Sequence, residues 1–165
     1  MDQFRRFLPI VLSVFAALIL QAIFVFADCQ DTPGRAAIEF SEAYFMLNPA
    51  MADRLCTDRK MIRNIDTVNQ YLYMVSQEAK ARGYSMEFMK RKLYDIKTKT
   101  IRKDDTAAEV HLKAKKRFAM NPLYEIFAQL FGFGKFQDVD QTLSLVKEKG
   151  SWKVCGGLFD LPREL

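Results

Sequence analysis

The sequence predicts an α+β domain in which three N-terminal helices precede an antiparallel sheet of about four strands. Apolar residues recur with helical spacing between Thr32 and Gly83. From Tyr94 to Gly157 the apolar residues instead alternate with polar ones, which is typical of half-buried strands. An uncharged stretch at 7–27 precedes this domain and predicts the cellular compartment of the protein.

The uncharged stretch holds twenty-one residues, with Arg5 and Arg6 before it and Asp28 after it. About 20 apolar residues are enough to cross a bilayer as a helix. The arginine pair predicts a cytoplasmic N-terminus, which places residues 28–165 on the far side. Val25-Phe26-Ala27 also fits the cleavage site of a secretory signal. Residues 1–27 are therefore a signal peptide or a single transmembrane helix, and 28–165 form an extracytoplasmic domain.

The composition is that of one ordered domain with a mild positive charge. Residues 28–165 are rich in phenylalanine and poor in glycine, and they carry a net charge of +4 of the chain's +5. An oxidising compartment would allow one disulfide among Cys29, Cys56 and Cys155, and the sequence does not choose between pairing and buried thiols. With one histidine and no CxxC motif, we predict no metal and no cofactor.

Three helices are predicted from caps and periodicity. Thr32-Pro33 begins the first helix, and Asn48-Pro49 ends it and begins a short second one. Thr57-Asp58 caps a third helix that ends at Gly83 and whose 4-3 spacing favours packing against a sheet. The apolar stripe of this third helix comprises Met61, Ile65, Val68, Leu72, Val75 and Ala79.

Four strands follow, each with one apolar face. The first two form a hairpin around the turn at 103–106, and the last two are joined by Lys149-Gly150. The Gly156-Gly157 pair predicts a bulge or bend in the fourth strand. The predicted buried faces are Tyr94, Ile96, Thr98 and Thr100; Ala108, Val110, Leu112 and Ala114; Val139, Gln141, Leu143 and Leu145; and Trp152 with Val154.

An apolar segment at 121–134 separates the second and third strands. Asn121-Pro122 caps a predicted helix of about ten residues, and Gly132 ends it. Because a hairpin connection needs only about 2–5 residues, this short aromatic helix is an insertion. It is interpreted either as a lid on the core or as a surface for a partner or a membrane interface.

The first helix carries Ala36-Ala37-Ile-Glu-Phe-Ser-Glu-Ala-Tyr44, and the last hairpin reads Leu145-Val-Lys-Glu-Lys-Gly-Ser-Trp-Lys-Val154. Over about residues 33–160 the chain resembles the NTF2-like (cystatin-like α+β) superfamily. The resemblance implies a cone in which a curved sheet wraps the long helix. That superfamily includes enzymes, non-catalytic proteins and single-span subunits of bacterial secretion machines. The insertion at 121–134 departs from its pattern.

The predicted hairpin at 90–117 is strongly basic, with eleven Lys or Arg against four acidic residues. Like charges on paired strands are unfavourable, so we expect opposite charge from elsewhere in the fold. Such a surface is interpreted as a docking site for an acidic partner or anionic lipid, or as a solvated face that blocks edge pairing. The predicted partner or lipid contacts are Lys97, Lys99, Lys113, Lys115, Arg117, Tyr124, Phe127, Phe131 and Phe133.

The cone implied by the resemblance also offers a candidate pocket. Its predicted lining is Tyr44, Tyr71, Tyr94, Thr98, Gln141 and Trp152. The related isomerases use a buried carboxylate beside tyrosines, but alternation places Asp95, Asp140 and His111 on the wet face. We therefore predict no catalytic residue.

The sequence thus favours a non-catalytic interaction or assembly protein of the bacterial cell envelope, which faces the periplasm. Its expected partners are proteins of the envelope and a membrane surface, not nucleic acid. The oligomeric state is undetermined, and a dimer is compatible with the sequence. The alternative is a soluble periplasmic protein that binds a small apolar ligand in the cone cavity.

Overall fold

The computed structural model describes residues 11–23, 30–118, 136–157 and 159–161. The chain divides into two compact units, Met1–Asp31 and Thr32–Leu165. In the first unit, residues 11–23 form a helix, α1, whose residues are all exposed. Among the described residues, no helix combines the length and apolar character that a membrane span requires. The uncharged stretch at 7–27 extends beyond this described range at both ends.

The second unit begins with helix α2, Pro33–Phe45, where the sequence predicts a helix. Thr32 caps it by accepting a hydrogen bond from the Arg35 amide, and Pro33 occupies the first turn. A short helix α3, Met51–Arg54, follows as expected. The buried residues of α2 are Pro33, Ala36, Ala37, Phe40, Ser41 and Tyr44.

The prediction of a continuous third helix is wrong in its first part. Only Thr57–Lys60 is helical there (α4), and a small hairpin of Met61–Ile62 (β1) and Ile65–Asp66 (β2) follows. Arg63 and Asn64 both adopt positive φ, which is the backbone geometry of a tight two-residue hairpin turn. Met61 and Ile65 are consequently exposed and do not continue a helical stripe.

The rest of the third helix, α5, spans Thr67–Ala81, and Gly83 with its positive φ follows its end as predicted. Asp66 caps α5 by accepting a hydrogen bond from the Asn69 amide at 2.9 Å. α5 packs against α4, β2 and the 3₁₀ turn Met86–Met89 (η1). The helix that lies across the main sheet is α2, which contacts all four of its strands.

Within the described residues, one antiparallel sheet has the strand order β3-β4-β5-β6. The strands are Arg91–Lys103 (β3), Ala107–Phe118 (β4), Gln137–Glu148 (β5) and Ser151–Gly156 (β6). This order confirms the predicted meander and both of its tight turns. The connection between β4 and β5, with the predicted aromatic helix, lies outside the described residues.

The core lies between α2 and the inner face of the sheet. Most of the predicted inward-facing residues of β4, β5 and β6 are buried there, as the alternation requires. Phe40 of α2 and Leu55, which follows α3, are completely buried against them. The buried strand residues are Leu93, Ala108, Val110, Leu112, Ala114, Val139, Leu143, Leu145, Trp152 and Val154.

A β-bulge corrects the predicted face of Tyr94. The register shifts between Tyr94 and Lys97, and Asp95 within this bulge has a φ of 50°. Because a bulge adds one residue to its strand, the alternation before it is reversed. Leu93 is therefore the buried residue, while Tyr94 pairs with Lys115 on the outer face.

A disulfide closes the domain by joining Cys56 to Cys155 of β6, with 5.3 Å between their Cα atoms. The same place is held by a hydrogen bond of 3.0 Å from the Cys56 amide to the Val154 carbonyl. The structure thus selects one of the three pairings that the sequence allowed.

Candidate interaction surface

The outer face of the sheet places charged residues from three strands side by side. Lys97 of β3 lies opposite Lys113 of β4, so two cations are adjacent. Across β4 and β5, Lys113 lies opposite Asp140, and Lys115 lies opposite Asp138. Strand β5 therefore supplies the opposite charge that the basic hairpin was expected to need.

Two ion pairs and a histidine contact connect these rows. Lys113 Nζ lies 3.1 Å from Asp140 Oδ2, and His111 Nε2 contacts Asp140 Oδ1. Lys115 Nζ lies 3.5 Å from Asp95 Oδ2. The hydrogen bond with His111, followed by that from Lys113, lowers the pKa of the Asp140 carboxyl. Because these groups are exposed, solvent screens them and the pairs add little stability.

The bulge and its neighbours enclose a surface cleft of about 390 Å³. Its charged lining contains three lysines and three aspartates, so the cleft displays both signs of charge. A general base near neutral pH needs a raised carboxyl pKa, and Asp140 has a lowered one. This chemistry suits contact with a polar partner better than proton abstraction. The lining residues are Asp95, Lys97, Lys113, Ala114, Lys115, Asp138, Val139 and Asp140.

A second surface lies at the end of the sheet where β3 and β5 begin and β4 ends. Here exposed aromatic rings lie against basic side chains. The Arg91 guanidinium lies 3.5 Å from the centre of the Phe118 ring, and that of Arg117 lies 5.6 Å from Phe136. We call this surface the aromatic–cationic patch, and it consists of Phe88, Arg91, Lys92, Tyr94, Arg117, Phe118 and Phe136.

Contacts order the members of the patch in two groups, one on each face of the sheet end. Arg91 lies opposite Phe118 on one face, and Lys92 lies opposite Arg117 on the other. Tyr94 meets the Phe136 ring edge-on at 5.7 Å, and Lys92 Nζ lies 5.6 Å from the Tyr94 ring. Arg91 also donates a hydrogen bond of 3.0 Å to the carbonyl of Phe88, which joins η1 to the sheet. Burial lowers the pKa of the Arg91 guanidinium. The rings are therefore presented in ordered positions.

Arg117 occupies a different environment from the one expected of a partner-contact residue. It shares the outer face with Lys113 and Lys115, yet it is only 7% exposed because it lies beside Phe136. Lys97, Lys99, Lys113 and Lys115 are exposed as a contact surface requires. Tyr124, Phe127, Phe131 and Phe133, the remaining predicted contacts, lie outside the described residues.

Sequence reasoning missed Phe88, Phe118 and Phe136 as surface residues. They are 65%, 43% and 51% exposed, although phenylalanine usually points inward. The available signal was their position beside basic residues, in Phe88-Met-Lys-Arg-Lys92 and in Arg117-Phe118. The alternation alone could not show that they meet at one end of the sheet.

The residues predicted to line a pocket have different neighbours. Tyr44 and Tyr71 stack with their ring centres 5.2 Å apart, and Phe159 covers Tyr44 at 4.8 Å. The Tyr44 hydroxyl accepts a hydrogen bond of 3.2 Å from the Asp160 amide. Burial is the largest cause that raises the pKa of both tyrosines. These two tyrosines belong to a packed aromatic cluster.

The other four predicted pocket residues are dispersed. Tyr94 lies in the aromatic–cationic patch, and Thr98 lies close to Gly34 of α2. Trp152 is buried, and Lys147 Nζ lies 5.8 Å from the centre of its ring. Gln141 is half-buried and pairs with Leu112 in the sheet.

Cys56, Cys155 and Glu148 place possible ligand atoms within 4.8 Å of one another. The two sulfur atoms are bonded to each other, so neither offers a thiolate to a metal. Glu148 accepts hydrogen bonds from the Thr57 amide at 3.1 Å and the Thr57 hydroxyl at 2.8 Å. This cluster is explained by its structural bonds.

No family model matches the chain, and no curated protein or solved structure is significantly similar to it.

Proposed function

We propose that the chain is a non-catalytic interaction or assembly protein of the bacterial cell envelope. Residues 28–165 would form an NTF2-like docking domain that faces the periplasm, either secreted or anchored in the inner membrane by residues 7–27. One observation carries the proposal. The charged and aromatic groups of β3, β4 and the start of β5 are displayed on the surface, while side chains fill the space between α2 and the sheet.

The filled core favours docking over ligand binding. Phe40, Tyr44 and Trp152 are each at most 3% exposed, and all three belong to the packed core cluster. Tyr44 and Tyr71 stack directly on each other instead of lining a space. The alternative of a small apolar ligand in a cone cavity is therefore less well supported.

The NTF2-like assignment has two supports in the described residues. Helix α2 lies across a four-stranded meander, and a helix packed on such a sheet agrees in part with the cone that the resemblance implies. Register shifts interrupt β3 twice and the β5–β6 pairing once, and such bulges bend strands. Bent strands are what a curved sheet requires.

The compartment is supported by the disulfide between Cys56 and Cys155. Disulfides persist in secreted and periplasmic proteins and are rare in the cytosol. This agrees with the orientation that Arg5 and Arg6 predict for the chain.

The proposal is tested by photo-crosslinking the full-length chain in native bacterial membranes. A photoreactive amino acid replaces Thr142, which is exposed on the charged face, or Gln77, which is exposed on α5 as a matched control. We expect a discrete protein adduct from Thr142 and a weaker or different one from Gln77. Absence of any protein adduct from Thr142, with the chain recovered only as an uncrosslinked monomer, would contradict the proposal.

A further inference from the structure

We infer that the aromatic–cationic patch is a contact surface for the headgroup region of an anionic membrane. The inference rests on the proposed function, because it names a partner for the same envelope domain. The patch adjoins the charged cleft at Tyr94, but it shares no lining residue with it, and its chemistry is different. It displays exposed rings together with an excess of positive charge.

The first argument is the exposure of the rings. Phe88, Phe118 and Phe136 expose 65%, 43% and 51% of their surface in a domain that buries Phe40 completely. Clustered apolar side chains on a surface mark sites of protein or membrane contact. Aromatic residues are also favoured at the level of lipid headgroups, where apolar and polar groups meet.

The second argument is charge. Lys90, Arg91, Lys92 and Lys116 lie on or beside the patch and are exposed or half-buried. Within the part of the chain that the structure describes, the ion pair of this set joins Lys90 to Glu87 at 2.7 Å. The remaining positive charge complements anionic headgroups, and each basic residue near such a surface raises the affinity by about fivefold.

The third argument distinguishes lipid from nucleic acid. Single-stranded nucleic acid binds by stacking bases on open aromatic faces. Arg91 already lies over the Phe118 ring, and both Arg117 and Tyr94 lie against Phe136. These contacts occupy part of the ring surface that stacked bases would need and place cations beside the rings, which suits contact with headgroups better than base stacking.

The fold supplies an internal control for the test. Ile101 lies near the opposite end of β3, and it is 56% exposed, similar to the patch residues. Its neighbours Lys99, Arg102 and Lys103 are also basic. Ile101 therefore matches the patch in exposure and local charge but lies at the other end of the sheet.

The experiment uses the full-length Cys29→Ser chain with an environment-sensitive fluorophore on Phe88→Cys or Ile101→Cys. Each protein is reconstituted into vesicles of phosphatidylcholine, with or without phosphatidylglycerol, that contain a headgroup-level nitroxide quencher. We expect quenching at residue 88 that requires phosphatidylglycerol and exceeds quenching at residue 101. Lys92→Gln should lower the equilibrium constant for contact between the patch and the phosphatidylglycerol vesicles about fivefold. Circular dichroism confirms that each variant is folded.

Equal quenching at residues 88 and 101, or quenching that does not depend on phosphatidylglycerol, would overturn the inference. So would tight binding of a single-stranded RNA oligonucleotide that Phe118→Ser abolishes. A protein adduct from Thr142 in the crosslinking experiment would still support the docking function after either of these results. Failure here therefore removes the lipid contact and leaves the proposed docking function in place.

Discussion

The hydroxyl groups of Tyr44 and Tyr71 meet where α2 approaches α5, inside an aromatic cluster. Tyr44 is buried and Tyr71 is half-buried, and each hydroxyl has a hydrogen-bonding partner. Sequence patterns placed Tyr44 on the inner face of its helix but could not show that Tyr71 stacks on it. At the scale of single residues, packing decides whether an aromatic group lines a pocket or fills one.

Replacing Tyr44 by Phe should lower the free energy of unfolding by about 1 kcal/mol at neutral pH, because it removes two buried hydrogen bonds but no ring.

Above pH ~10, tyrosines of the unfolded chain ionise, whereas burial keeps Tyr44 protonated in the fold. The unfolded state then binds fewer protons, so stability falls as pH rises. This fall should be shallower in Tyr44→Phe. Urea titrations at several pH values measure it, and the exposed Tyr73→Phe is the control. Equal slopes in all three proteins would contradict this account.

Gly157 is required by a close backbone approach. Its φ is 69°, and a Cβ atom there would lie 2.0 Å from the Thr142 carbonyl oxygen. Gly83 has a similar φ of 77° but open space around it. Gly83→Ala should therefore cost about 1 kcal/mol for the left-handed backbone alone, and Gly157→Ala at least about twice that. Thermal unfolding of both variants compares these costs, and equal losses would show that the steric argument is wrong.

At the scale of elements, periodicity predicted α2 and three strands well but failed over residues 61–66. The 4-3 spacing of Met61 and Ile65 continued the pattern of α5, yet both lie in a hairpin. Arg63-Asn64 carried no glycine to indicate a turn. The bulge at Asp95 was equally hidden, because an extra residue in a polar strand changes no local composition.

Helix capping distinguishes the observed element from the predicted one. Asp66→Ala should lower the free energy of unfolding by about 1 kcal/mol, because Asp66 caps α5 through the Asn69 amide. Asp58 belongs to the cap that the sequence predicts, but it makes no capping hydrogen bond. Asp58→Ala should therefore lower the free energy of unfolding by less than about half as much as Asp66→Ala. Chemical denaturation of the two variants decides between them. The reverse order would favour one continuous helix.

At the scale of the whole molecule, the Cys56–Cys155 disulfide connects residues separated by 99 positions. It ties the start of α4 to β6, next to the parallel bridge between Leu55 and Val154. The N-terminal helices and the last strand are thereby joined covalently. Loss of this bond should affect the stability of the domain and not a single element.

Replacing both Cys56 and Cys155 with Ala should lower the free energy of unfolding by about 2–5 kcal/mol, because the cross-link restricts the unfolded chain. Cys29→Ser should leave it unchanged and provides the control. Urea denaturation of the three proteins gives the comparison, and mass mapping of non-reduced peptides identifies the bond. A disulfide that includes Cys29 in the natural protein would contradict the structure.

The sequence by itself determined the class of the domain, the Thr32-Pro33 start of α2, the two tight turns of the main sheet and most of the inward faces of β4, β5 and β6. These features depend on neighbouring residues, whose caps, turns and alternation act over a few positions. Only the tertiary structure decided the disulfide pairing, the outward face of Tyr94, the pairing of Lys113 with Asp140 and the aromatic–cationic patch. Each of these requires a strand register or a contact between distant segments, and local sequence does not specify either one.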